Sequence, residues 1–169
     1  MFMAAQKILS VQEVASKCEL LRTQGRRLVF TNGCFDLLHV GHVRYLQAAR
    51  GCGDALAVAV NGDASVRALK GPTRPINSEA DRAEVLAALE CVDFVTFFHT
   101  PRVDEVIRTV RPHVYVKGGD YTLETLDPSE RAALQEVGAV VEIVALVPGK
   151  STTAVVRRMS AGAASEEGR

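Results

Sequence analysis

Tryptophan is absent from this sequence, and the remaining aromatic residues amount to only 5% of it. Charge of one sign is missing as well: twenty Lys and Arg balance twenty Asp and Glu. A chain so balanced has no general attraction to nucleic acid or to an anionic membrane, which leaves at most a local basic site for a small polyanion. Nowhere is there an apolar run of 18 residues, and the opening MFMAAQKILSVQEV lacks the long apolar core of a signal peptide. The four cysteines, at 18, 34, 52 and 91, have no framework spacing, so reduced thiols and a cytoplasmic location are expected. Two nucleotide signatures are also missing. There is no GxGxxG loop and no Walker GxxxxGK[ST], which argues against a dinucleotide dehydrogenase and a P-loop ATPase.

What remains is ordinary globular material, 47% apolar and 24% charged over 169 residues. That is enough for one domain burying roughly 68–70% of its unfolded surface. We read residues 1–160 as that domain, with 1–25 forming a helix that packs on a sheet edge or a partner subunit, and 161–169 as a disordered tail. Ser10 with Glu13 is a capping box opening the first helix. Short apolar runs then alternate with helical spacing. The strands are Leu28–Thr31, Ala55–Val60, Phe94–Phe98, His113–Val116 and Val140–Val144. Lys70–Pro75 reads as a loop, and Ser78 with Asp81 starts a helix carrying Arg82. Thr100-Pro101 reads as an N-cap with proline in the first turn, and Asp127–Glu130 caps another helix. Five such alternations predict an α/β class with a parallel sheet and right-handed crossovers.

The glycines then point to one edge of that sheet. Gly33, Gly62, Gly118, Gly119 and Gly149 follow apolar strands, in loops that also hold His, Lys, Asp, Ser or Thr. Gly25, Gly53 and Gly138 precede strands and read as helix C-caps. Strands of a parallel sheet share one carboxyl edge, where ligands bind at the point of strand reversal. With a strand order of 3-2-1-4-5, that point lies between the first and fourth strands.

The most informative stretch is Arg26–Arg50, in which a buried strand turns through Asn32-Gly33-Cys34-Phe35-Asp36 into a helix entered at His39-Val40-Gly41-His42. Two histidines three apart share one face of a first helical turn, and Gly41 between them leaves room for a ligand. Helix-start amides and the dipole suit phosphate. Placed there, a nucleoside triphosphate would be attacked at its α-phosphorus by a second phosphate. The attacking group is already an anion, so catalysis reduces to positioning and preorganised positive potential. His39 and His42 are assigned to the triphosphate, and Lys70 to the transition state. Amides of Gly33, Cys34 and Phe35 add dipoles, and Ser151, Thr152 and Thr153 at a helix start could grip the outer phosphates. Magnesium is the expected counter-ion, held mainly by phosphate and water. Zinc on Cys34, His39, His42 and Cys52 is disfavoured, since neither CxxC nor HExxH spacing occurs. A nucleotide-sensing scaffold that binds ATP without turnover is the rival from another class.

Gly33-x-Phe35-Asp36-x-x-His39-x-Gly41-His42 fills the GxFDxxHxGH pattern of the cytidylyltransferase-like nucleotidyltransferases. Together with LKGPTRPIN, DRAEVLAALECVDFV, YVKGGDYT and PGKSTT, over about Leu28–Arg158, the chain resembles the D-glycero-β-D-manno-heptose 1-phosphate adenylyltransferases of bacterial ADP-heptose synthases. The resemblance implies a Rossmann-like doubly wound five-stranded parallel sheet of the HxGH type. It also implies transfer of AMP from ATP to the sugar 1-phosphate, giving ADP-heptose and pyrophosphate for the lipopolysaccharide inner core, by a homodimer. A cytidylyltransferase acting on glycerol 3-phosphate is the alternative. Arg82 matches the phosphate-binding arginine of the glycerol-3-phosphate cytidylyltransferases, and Lys117, Gly118 and Asp120 match their base-side loop. Thr31, Asn32 and Gly41 complete the expected nucleotide contacts; Asp36, Asp63 and Arg74 are expected at the substrate. Heptose 1-phosphate adenylyltransferases are often fused behind a sugar kinase; here a separate heptose kinase is expected to supply the substrate. Lys150 stands where the cytidylyltransferases carry an arginine.

Overall fold

The computed structural model describes residues 3–119, 121–122 and 124–145. The predicted last helix, the tail 161–169 and the calls on Asp120, Lys150, Ser151, Thr152 and Thr153 lie outside them. Along the chain run α1 (Val11–Thr23), β1 (Leu28–Gly33), α2 (Val40–Arg50), β2 (Ala55–Asn61), α3 (Asp63–Lys70) and α4 (Glu79–Ala87). They are followed by β3 (Phe94–Phe98), α5 (Asp104–Val110), β4 (Val114–Gly118), α6 (Pro128–Val137) and β5 (Val140–Val144). All four strand pairings are parallel and the order is β3-β2-β1-β4-β5. This is the doubly wound α/β sheet expected, with the reversal point between β1 and β4.

Alternating side chains of the central strands feed two cores. Leu28 and Phe30 join Ala55, Ala57 and Ala59 on the face covered by α1, α5 and α6. Val29 joins Leu56, Val58 and Val60 on the face covered by α2 and α4. Every residue of β2 is buried, as a central parallel strand requires. Among the described residues, no helix is long and apolar enough to cross a membrane.

Several sequence expectations need correction. The capping box at Ser10 and Glu13 forms, but α1 lies on a face of the sheet. The edge of β3 is instead taken by the residues just before α1: Ile8 bridges Val95, and the Leu9 amide donates to Val95 O at 2.8 Å. Thr100 is no helix cap; its hydroxyl donates to Arg102 O at 2.6 Å, and α5 starts only at Asp104. Lys70 ends α3 instead of opening a loop. Gly25 and Gly138 do take the left-handed conformation at helix ends, with φ of 68° and 70°. Gly53 has another purpose. A Cβ there would stand 2.7 Å from Val29 Cγ2 and 2.9 Å from Arg27 O, so the glycine lets the loop lie against β1.

Candidate active site

The site begins where the β1–β4 ladder ends. Its register reaches only Phe30 opposite Tyr115, and beyond that pair the carboxyl ends of the two strands are joined by side chains. The hydroxyls of Thr31 and Tyr45 stand 2.7 Å apart, and both lie within bonding distance of Val116 O, at 2.9 and 3.0 Å. Burial pushes the Tyr45 phenol up to about 12, so it stays a neutral donor. Thr31 is fully buried and holds the crevice together from below; it is not exposed to a nucleotide.

Above this tie the chain turns sharply. Phe35 adopts φ of 46°, which is uncommon for a residue with a side chain. Its ring folds back so closely under Gly33 that a Cβ there would meet Phe35 Cε2 at 2.9 Å. The ring edge then meets His42, with centroids 5.6 Å apart. Glycine at 33 and the backbone conformation at 35 are thus two parts of one device that seats His42.

The histidine pair forms the cap of α2. Gly41 N donates to His39 Nδ1 at 3.1 Å, and His39 N donates to His42 Nδ1 at 3.4 Å, while the two rings stack with centroids 4.0 Å apart. This changes the expected chemistry. The Gly41 amide goes to His39 Nδ1 and the His42 amide to His39 O, so the helix start presents imidazole in place of bare N–H groups. Because both Nδ1 atoms accept, the neutral rings carry their protons on Nε2. Burial, then the charges of His39 and Lys70, lower the His42 pKa to about 4. At neutral pH His42 is therefore an uncharged Nε2–H donor.

The three expected substrate contacts are occupied elsewhere. The Asp36 carboxylate is buried and accepts from Arg74 Nη1 at 2.6 Å, Ile76 N at 2.8 Å and Asn77 N at 3.1 Å. Burial alone would raise its pKa, but those donors outweigh it and hold the group below the usual carboxylate value. Asp36 with Arg74 is thus a latch between the β1–α2 loop and the segment before α4. Arg82, expected on a phosphate, is a buried strut. Its guanidinium donates to Asn77 O, Cys34 O, Asn61 O and Asp63 Oδ1 at 2.6 to 3.1 Å, tying the ends of β1 and β2 together. Asp63 is thereby its counter-ion.

At the carboxyl ends of the strands lies a cavity of about 350 Å³ whose lining includes Gly33, Cys34 and Lys70 but neither histidine; Lys70 is the lining residue whose charge reaches His42. Its lining also includes Asn32, Asn61, Arg102, Lys117 and Glu130. Burial raises the Cys34 thiol, with Lys70 opposing. Lys117 Nζ donates to Asn32 Oδ1 at 3.0 Å, lies 3.6 Å from Glu130 Oε2, and stands 5.3 and 5.1 Å from the ring centres of Tyr115 and Tyr121. Burial lowers its pKa, with Glu130 opposing. Gly118 ends β4 beside it, and Tyr121 N donates to Gly118 O at 3.0 Å. Tyr115, Arg102, Asn61 and Glu130 were not anticipated from sequence. Tyr115 reads as one more residue of a buried strand, and Glu130 as part of a helix cap.

A family model described as Cytidylyltransferase-like matches residues 30–158. The chain belongs to the cytidylyltransferase-like family. Membership places it among nucleotidyltransferases, and the matched region takes in β1 from Phe30 onward and the whole histidine-capped helix α2. The chain is 51% identical over 95% of its length to the "Bifunctional protein HldE" of Geotalea uraniireducens. It is 47% identical over 90% to that of Geobacter sulfurreducens. It spans about a third of those relatives, 32% and 31% of their lengths. The crystal structure of a lipopolysaccharide core biosynthesis protein from Thermoplasma volcanium superposes with a TM-score of 0.60 at 29% identity, over 73% of this chain and 98% of that one. Pantoate-beta-alanine ligase from Francisella tularensis shares the fold alone, with a TM-score of 0.53 at 12% identity, over 82% of this chain and 66% of that one.

Proposed function

We propose that the protein transfers AMP from ATP to D-glycero-β-D-manno-heptose 1-phosphate, giving ADP-heptose and pyrophosphate for the lipopolysaccharide core. The observation that carries this reading is the pair of Nε2–H imidazoles at the start of α2, with Lys70, whose charge acts on His42, in the lining of a cavity that also carries Arg102 and Lys117. The relatives named HldE and the lipopolysaccharide core protein give the substrate class its support.

In the reaction, an oxygen of the sugar phosphate bonds to the α-phosphorus of ATP while the bond from that phosphorus to the bridging oxygen breaks. The electron pair of the broken bond leaves with pyrophosphate. The attacking oxygen is already anionic, so no base is needed. His42, neutral and donating, meets growing negative charge without having to lose a proton, and His39 stacked on it holds its orientation. Lys70, at the end of α3, adds a cation to the cavity lining, and the Arg82 strut keeps the Cys34 loop in place. Magnesium would travel on the triphosphate oxygens and water; among the described residues no group of three His, Cys, Asp or Glu is placed to ligate a metal. The same reading has the enzyme working in the cytoplasm as a homodimer, with a heptose kinase supplying its acceptor.

Pyrophosphate release tests the assignment. The purified protein with ATP and the heptose 1-phosphate is expected to release pyrophosphate, whereas CTP with glycerol 3-phosphate is expected to give only background. Turnover of the CTP pair without the ATP pair would replace this reading with a cytidylyltransferase, and nucleotide binding with no release from either would point to a sensor.

A further inference from the structure

The cavity is not uniformly positive, and its exception is informative. Its floor is a closed quartet. Asn32 Oδ1 accepts from Tyr115 Oη at 2.7 Å and from Lys117 Nζ at 3.0 Å, and Tyr115 Oη stands 3.1 Å from Glu130 Oε2. Tyr115 is wholly buried, and Glu130 and Lys117 are only 7% and 8% exposed. A buried carboxylate is costly unless it has a purpose or a partner, and one facing an anion site weakens it. A second cavity shares Arg102, Lys117 and Glu130 with this one but not Lys70, so Lys70 stands apart from this carboxylate and the phosphate belongs with the lysine. The floor suits a different chemistry.

Fixing Asn32 Oδ1 between two donors also fixes its amide nitrogen, which keeps its N–H donors for other partners. Among the described residues, the side-chain contacts of Glu130 both use Oε2, and Glu130 lines the cavity, so Oε1 is the oxygen it offers to a ligand. One side-chain donor next to one carboxylate acceptor matches a pair of neighbouring hydroxyls, each of which both gives and accepts a hydrogen bond. Phosphate alone would satisfy neither the acceptor nor the arrangement.

We propose that Glu130, with Asn32 beside it, is the specificity-determining residue for the acceptor: it accepts a hydrogen bond from a ring hydroxyl of the sugar, while the acceptor's phosphate lies at the Lys70 end. Lys117 and Tyr115 position both groups and do not themselves read the sugar. The inference rests on the sugar-phosphate reading above and extends it to a subsite that none of the expected substrate residues, Asp36, Asp63 or Arg74, supplies.

Steady-state pyrophosphate release with wild type, Glu130→Gln and Glu130→Asp tests it, using ATP, the heptose 1-phosphate and its monodeoxy analogues. A site built to bond a hydroxyl rejects the analogue lacking it by about 10⁴ to 10⁵ in the strongest cases. The wild type is expected to disfavour at least one deoxy analogue by about 10²-fold or more in kcat/KM. Glu130→Gln is expected to raise KM for the sugar phosphate by about tenfold or more, leave KM for ATP within about twofold, and lose most of that discrimination. Glu130→Asp should recover part of it. Equal loss toward both substrates with discrimination intact would reduce Glu130 to a structural acid and overturn the proposal. Should Glu130→Gln not fold, Glu130→Asp decides: weakened discrimination against the analogue supports the proposal, and wild-type discrimination, or no analogue rejected by wild type, overturns it. Wild type that turns over no sugar phosphate would instead remove the functional reading itself.

Discussion

At the scale of single residues, the chemistry rests on which nitrogen of each histidine holds the proton. The backbone answers that at His39 and His42, because amides occupy both Nδ1 atoms. His42→Ala is expected to lower turnover by a factor of about 10² to 10³, with far-ultraviolet dichroism unchanged; near-normal turnover would remove it from the chemistry. Its pKa, lowered to about 4, has a further consequence. Between pH 6.5 and about 4 the unfolded chain takes up a proton that the folded one refuses, so this group lowers stability as pH falls through that window. An NMR titration of free protein should find His42 neutral down to about pH 5, and a midpoint near 6.5 would contradict the packing described. Asp36 works through a different group but with a similar sign. Its folded pKa is depressed, so its contribution is present above the unfolded value and disappears as pH falls below it. Asp36→Ala leaves Arg74 without its carboxylate and should cost about 3 to 5 kcal/mol in urea unfolding. A cost below about 1 kcal/mol would mean the latch is not structural. The His pair was legible because the contacts between the two histidines lie within four residues. The roles of Asp36, Arg82 and Glu130 were not, because their bonds cross 38, 48 and 15 residues of chain. No local pattern separates an arginine that binds phosphate from one that ties two loops together.

At the scale of elements, the five strands stood out as short apolar runs, continuous and wholly buried in the central β2 but largely exposed in the edge strand β5, and the helix starts at Ser10, Ser78 and Asp127 because their caps are local. Thr100 misled for the same reason: Thr-Pro is a valid cap in isolation, but here residues 99–103 turn first, and the acids Asp104 and Glu105 open the helix instead. Gly53 was misread because its purpose is contact with β1, which sequence spacing does not register. That difference is measurable. Gly53→Ala forces a Cβ against Arg27 O and Val29, and should destabilise the fold by about 1 to 3 kcal/mol while leaving KM for ATP unchanged. A neutral effect on stability would show that the loop has room to move.

At the scale of the whole molecule, the strand order brings four loops to one edge, and the end of the β1–β4 ladder at Phe30 and Tyr115 opens the crevice between them. Sequence supplied the convergence through glycine and cation placement, while the strand order itself came only from the fold class and needed coordinates. The chain has no net charge, but Lys70, Arg102 and Lys117 against the single carboxylate of Glu130 leave a local positive excess in the cavity lining, balanced by an acidic excess elsewhere. The measurement that tests this account most directly is a crystal structure with a non-hydrolysable ATP analogue. The account predicts the triphosphate over the start of α2, with Nε2 of both His39 and His42 within hydrogen-bonding distance of phosphate oxygens and Lys70 drawn toward them. A nucleotide bound elsewhere, with both imidazoles turned from it, would contradict the account.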